Sequence, residues 1–143
     1  LVLQLGSVLQ TAVDLAVARG ILTIEHLRPT ASWDRIGRYA RFRGEPGAGV
    51  WIGIHFGLWL QHGGTPLWLA FPRTKWGLAS EVRLPVESWA ATEGILAFWQ
   101  DSDLVVALDI QTGEDGDLVV REIVNRLAAI ASVIPASGPR PAQ

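Results

Sequence analysis

An α+β fold, in which an antiparallel sheet carries N- and C-terminal helices packed on one face, follows from three observations in the 143-residue sequence. Apolar residues at helical spacing open the chain, strand-like alternation fills its middle, and a second and clearer helical stripe closes it. Helices segregated from strands in this way belong to α+β architecture rather than to alternating βαβ units.

The first element is a helix. Leu5, Leu9, Val13 and Val17 recur every four positions, Leu1, Ala12 and Ala16 widen the stripe, and Gly20 stands at the C-cap position. Ala16-Val17-Ala18 mimics a signal-peptidase site, but Gln4, Gln10 and Asp14 interrupt the stretch and it has no basic leader, so a packed helix is the better reading. Ile21 to Leu27 is an apolar patch, Arg28-Pro29 breaks it, and Thr30 to Ile36 reads as a polar link or a short helix.

A three-stranded meander follows. GRYARFRG at 37–44 is the first strand, EPGAG at 45–49 supplies the turn, VWIGIHFGLWL at 50–60 is the second strand, and TPLWLAF at 65–71 is the third, ended by Pro72. Along the second strand Val50, Ile52, Ile54, Phe56, Leu58 and Leu60 share one face, while Trp51, Gly53, His55, Gly57 and Trp59 share the other. Pro85 suits the first turn of a short helix that stops at Gly94. Two strands, 95–100 and 104–110, then form a hairpin. The last helix is capped by Asp115 or Asp117, carries Val120, Ile123, Val124, Leu127, Ile130, Ala131 and Ile134 on one side, and ends at Pro135. Residues 1–135 thus read as one domain and 136–143 as a disordered tail. The sequence holds no methionine and starts at Leu1, which suggests a piece of a longer protein.

Composition excludes several chemistries. Without cysteine there is no disulfide, thiolate nucleophile, zinc-thiolate site or iron–sulfur cluster. A net charge of −2 argues against a uniformly basic nucleic-acid coat, and no apolar run has the length of a membrane span. We expect a cytoplasmic protein with no membrane association. The near-neutral total hides an uneven division: nine basic and five acidic residues through position 83 give +4, and three basic and nine acidic residues beyond it give −6.

The candidate site is the second face of the meander. A register that keeps Phe42 and Ala40 beside Ile52 and Ile54 sets Tyr39, Arg41 and Arg43 beside Trp51, Gly53 and His55. Arg38 belongs to the same cluster of five arginines, at 28, 35, 38, 41 and 43. Together with Trp59 these residues make a face on which arginine, tyrosine, tryptophan and histidine surround glycines that leave room for something flat. Such a face suits stacked nucleic-acid bases, a partner domain, the acidic half of a second copy, or a small ligand.

Catalytic, metal and cofactor sites are not expected. His55 and His62 are too far apart on an extended chain to share a metal, His26 sits in an apolar patch, and Asp101 and Asp103 suit a solvated turn at the strand hairpin, with Asp109 at a strand end. The run from Gly113 to Asp117 lacks calcium-hand spacing, and Lys75 follows no glycine-rich turn.

GRYARFRG, VWIGIHFGLWLQHGGTPLWLAF and DIQTGEDGDLVVREIVNRLAAIA resemble the C-terminal part of uncharacterised bacterial proteins related to the PD-(D/E)XK nuclease superfamily. Trp51, Gly53, Ile54, Pro66, Leu67, Trp68 and Leu69 carry the resemblance, which covers residues 37–71 and 108–131. It implies an accessory domain that lacks the metal-binding acids and lysine, with the missing N-terminal portion of the same protein as one natural partner. Glu81-Val82-Arg83 and Asp109-Ile110-Gln111 offer only degenerate versions of that signature, which leaves a degenerate metal-dependent nuclease as the alternative.

Overall fold

The computed structural model describes residues 2–24, 30–31, 35–43, 48–63, 65–72, 79–100, 103–108 and 116–134. In chain order the elements are α1 (Val2–Ala18), β1 (Leu22–Ile24), β2 (Thr30–Ala31), β3 (Arg35–Phe42), β4 (Gly49–His55), α2 (Phe56–His62), β5 (Leu67–Pro72), α3 (Ala79–Glu93), β6 (Ala97–Gln100), β7 (Asp103–Ala107) and α4 (Gly116–Val133). The strands form one antiparallel sheet in the order β1-β3-β4-β5-β7-β6, with β2 also paired to β3. This is the expected α+β architecture, with the meander at its centre.

Directly opposed residues of an antiparallel pair project to the same side of a sheet. One side therefore carries Leu22, Ala40, Phe42, Val50, Ile52, Ile54, Leu67, Leu69, Phe71, Leu104 and Val106, all buried. Helices α1 and α4 pack on the sheet and against each other, with Leu9, Ala12, Val13 and Ala16 of α1 and Val119, Ile123, Val124, Leu127 and Ile130 of α4 turned inward. Helix α3 lies on the same side, where the Arg83 guanidinium stands 5.6 Å from the Trp99 ring centroid.

Gly20 closes α1 at φ 76°, and the Ile21 amide donates to the Ala16 carbonyl across it, the wrap that a left-handed glycine permits at a helix end. Gly94 does the same for α3 at φ 70°.

Four expectations are corrected. The segment 21–36 contributes strands β1 and β2, short edge pieces whose few residues carry little alternation. Helix α3 starts at Ala79, so Pro85 lies inside it; proline costs the helix one backbone bond there, and burial of Val82, Val86 and Ala90 holds the preceding turn in place. The alternation of 50–60 ends at His55, where the chain turns into α2. Lastly, the β3–β4 ladder is displaced by four residues: Ile52 faces Arg38 rather than Phe42, and Tyr39 faces Trp51. The tail 136–143, Asp101, Asp109 and His26 lie outside the described residues.

The displaced register brings Gly37 opposite Gly53, and the Trp51 indole lies over both. A Cβ at Gly37 would stand 2.6 Å from the Trp51 ring, and one at Gly53 would stand 2.7 Å from it. Gly53→Ala should therefore destabilise the fold by about 1–3 kcal/mol or more, the range for overpacking a close-packed site. Gly6→Ala, in α1 with open space around its Cα, should instead stabilise by about 0.5–1 kcal/mol. Urea unfolding of the two variants beside the parent checks both signs.

Candidate functional site

The sheet side away from α1, α3 and α4 carries four of the sequence-predicted residues, Tyr39, Arg41, Trp51 and His55. On β3 and β4 it presents Arg35, Gly37, Tyr39 and Arg41 opposite His55, Gly53, Trp51 and Gly49. Tyr39 and Arg41 thus share a face with Trp51 and His55, and Arg35 joins them, a residue that the shifted register reveals. Its position was hidden in the sequence because a slip of an even number of residues changes neighbours without changing faces.

Trp51 is only 4% exposed. Its indole rests on the glycine pair, the Arg35 guanidinium carbon stands 6.0 Å from the ring centroid, and the His55 ring meets it edge-on with centroids 6.0 Å apart and planes at 86°. The flat object for which the glycines make room is therefore the protein's own tryptophan. The guanidinium beside it is within the range where cation–π attraction contributes about 0.5–2 kcal/mol.

His55 is 8% exposed and is the N-cap of α2. Its backbone is extended, at φ −120° and ψ 101°, and its Nδ1 accepts the Leu58 amide at 3.1 Å. That bond satisfies one of the amides a helix start leaves without an intrahelical partner, which is how a segment of unbroken alternation ends as a helix. Gly63, at φ 71°, closes the helix by donating its amide to the Trp59 carbonyl at 2.8 Å. Within α2, Leu58 is buried and Phe56 packs against the core but Leu60 is 88% exposed, so the core stripe predicted through Leu60 leaves the strand after Ile54 and ends at Leu58.

Helix α2 folds back over the same sheet side. The His62 ring sits 4.6 Å from Phe98 and 6.0 Å from Trp68, and Trp68 meets Phe98 edge-on at 6.3 Å. Trp68, opposite Gly53, therefore shares the Trp51 face but is buried under α2. Its indole nitrogen donates to the Thr65 carbonyl at 2.9 Å, the Leu67 amide donates to Thr65 Oγ1 at 3.1 Å, and the His55 amide donates to the Pro66 carbonyl at 2.9 Å.

Three residues leave the predicted constellation. Trp59 belongs to α2 and not to the β4 face. Arg43 is exposed beyond the end of β3, its amide donating to Ile21. Arg38 projects to the helix-covered side, where its Nη1 donates to Gln10 Oε1 of α1 at 2.8 Å. The three carbons of the arginine stem cover apolar surface while the head reaches a polar partner, which is why an arginine can occupy that side.

Among the described residues no group of three histidine, cysteine, aspartate or glutamate side chains is placed to hold a metal ion, and no helix is long and apolar enough to cross a membrane. Glu81-Val82-Arg83 falls within α3, and Asp109-Ile110-Gln111 lies outside the described residues. No family model, curated protein or solved structure matches the chain.

Thr65→Val keeps the shape at a buried position but leaves the Leu67 amide without its acceptor. The expected cost is about 1–3 kcal/mol, read as a lowered urea midpoint at unchanged slope, whereas Thr65→Ser should retain most of the stability.

Proposed function

We propose that this chain is a non-catalytic accessory domain that docks an acidic protein surface through the row Arg35, Tyr39 and Arg41 on its sheet. The observation that carries the reading is the internal use of Trp51. Base stacking on a sheet requires an aromatic face open to the nucleobase, and the indole is spent on Gly37 and Gly53, with Trp59 on another element. The same packing fills the floor that a flat small ligand would occupy. The face also carries a row of half-buried cationic and phenolic side chains held by the sheet, and charged groups arranged in this way give orientation and association rate to a protein partner. The accessory role beside a catalytic portion is what the sequence resemblance to nuclease-like bacterial proteins implies, and it is part of this proposal.

The division of charge, +4 through residue 83 and −6 beyond it, favours a second copy of the chain as a partner of the right sign. In sedimentation velocity at about 50 mM salt the chain should associate reversibly, and about 500 mM salt should dissociate it, because surface charge pairs are screened over roughly a Debye length. Arg35→Glu combined with Arg41→Glu should abolish the association while leaving the circular dichroism spectrum intact. A strictly monomeric chain at low salt and high concentration, or a labelled single-stranded oligonucleotide whose binding disappears in the same double variant, would overturn the reading.

A further inference from the structure

We propose that the groove between α3 and α4 is a binding site for a small quaternary ammonium compound, with Trp89 against its methyl groups and Glu93 and Glu122 beside its charge. The groove has a volume of about 330 Å³ and is lined by Trp89, Glu93, Glu122, Asn125, Arg126 and Ala129. That volume lies at the small end of the roughly 300–1,000 Å³ over which protein pockets hold small ligands. The groove belongs to the helix layer, apart from the docking row on the opposite side of the sheet, and the two readings do not depend on each other.

Its residues come together because the two helices bury neighbouring rows. On α3, Val82, Val86 and Ala90 are buried at four-residue spacing, and Trp89 and Glu93, also four apart, form the next row outward. On α4, Glu122, Asn125, Arg126 and Ala129 follow one another at helical steps beside the buried Ile123, Leu127 and Ile130. The helices pack against each other, and the outer rows bound the groove. Ala129 brings a single methyl group to this wall, which keeps the groove open in front of Trp89.

The lining selects the charge of the ligand. It holds an indole, two carboxylates and one guanidinium, a net charge of −1. Arg126 already takes part in an interaction of its own. An anion would meet two carboxylates here, whereas a cation finds two counter-charges and an aromatic ring that attracts positive charge. Trp89 is half-buried, packed against the core and also lining the groove, so the ring is held in place before a ligand arrives. A primary ammonium is compact and strongly hydrated, and an indole does not replace the water it would give up. A methylated nitrogen presents its charge through apolar groups and loses little water on meeting the ring, which is why quaternary ammonium is the class that aromatic sites take.

Choline is the probe. Titrated into the nitrogen-15-labelled chain, it should shift the Trp89 indole N–H resonance to a saturating value, that resonance being the one lost in Trp89→Phe. If Trp89→Phe does not fold, sequential assignment along α3 identifies it. The neutral carbon isostere of choline, dimethylbutanol, should bind about fivefold more weakly or worse, and butyrate should leave the resonance unmoved. Glu93→Gln and Glu122→Gln should each weaken choline binding by up to about fivefold, the scale of an exposed charge pair. Ala129→Leu fills the groove and should abolish binding with an unchanged circular dichroism spectrum. A Trp89 resonance that choline does not move, an isostere or butyrate that binds as well as choline, or choline binding that survives Ala129→Leu would overturn the proposal.

Discussion

Glycine stands at directly opposed positions on two neighbouring strands, Gly37 on β3 and Gly53 on β4, and in the space their missing side chains leave, the Trp51 indole lies flat on the sheet. A Cβ at either position would meet the Trp51 ring at 2.6–2.7 Å, so the ring needs glycine at both. The pairing fixes the ladder, and the ladder fixes the site. With Gly37 opposite Gly53, Arg35 falls opposite His55 and over the indole, Tyr39 falls opposite Trp51, and His55 reaches the end of the strand with its Nδ1 capping α2.

The same constraint explains why one side of the sheet can be polar at its edge and apolar at its centre. The helix-covered side is packed by α1, α3 and α4. On the other side burial comes from the chain itself, with Trp51 over the glycines and α2 over Trp68 and Phe98. All seven residues of β4 are consequently buried although no helix longer than α2 covers that side among the described residues. Arg35, Tyr39 and Arg41 are half-buried on β3 at the border of this patch.

Helical spacing and two-residue alternation made the outline of the fold legible, and physical reasons separate what could be read from what could not. The terminal helices carry long apolar stripes, so Leu9, Val13, Ile123, Val124 and Leu127 are buried where periodicity predicts. Alternation also assigned Tyr39 and Arg41 to the face of Trp51. It could not assign the register, because a four-residue displacement preserves every face; the deciding feature is the shape match of one indole to two glycines, which no periodicity expresses. Nor could it find the end of β4. VWIGIHFGLWL alternates throughout, and only the bond from the Leu58 amide to His55 Nδ1, with Gly63 three residues past the end of that segment, turns the second half into a helix. Proximity in sequence groups Arg38 with the other arginines, whereas its partner Gln10 is 28 positions away.

Cross-strand nuclear Overhauser effects test the central claim most directly. With the glycines paired, the Trp51 six-membered ring protons should show strong effects to the α-protons of both Gly37 and Gly53. Effects that link Gly53 to Arg41 instead, with none between the Trp51 ring and Gly37, would place β3 in the displaced register and contradict the account.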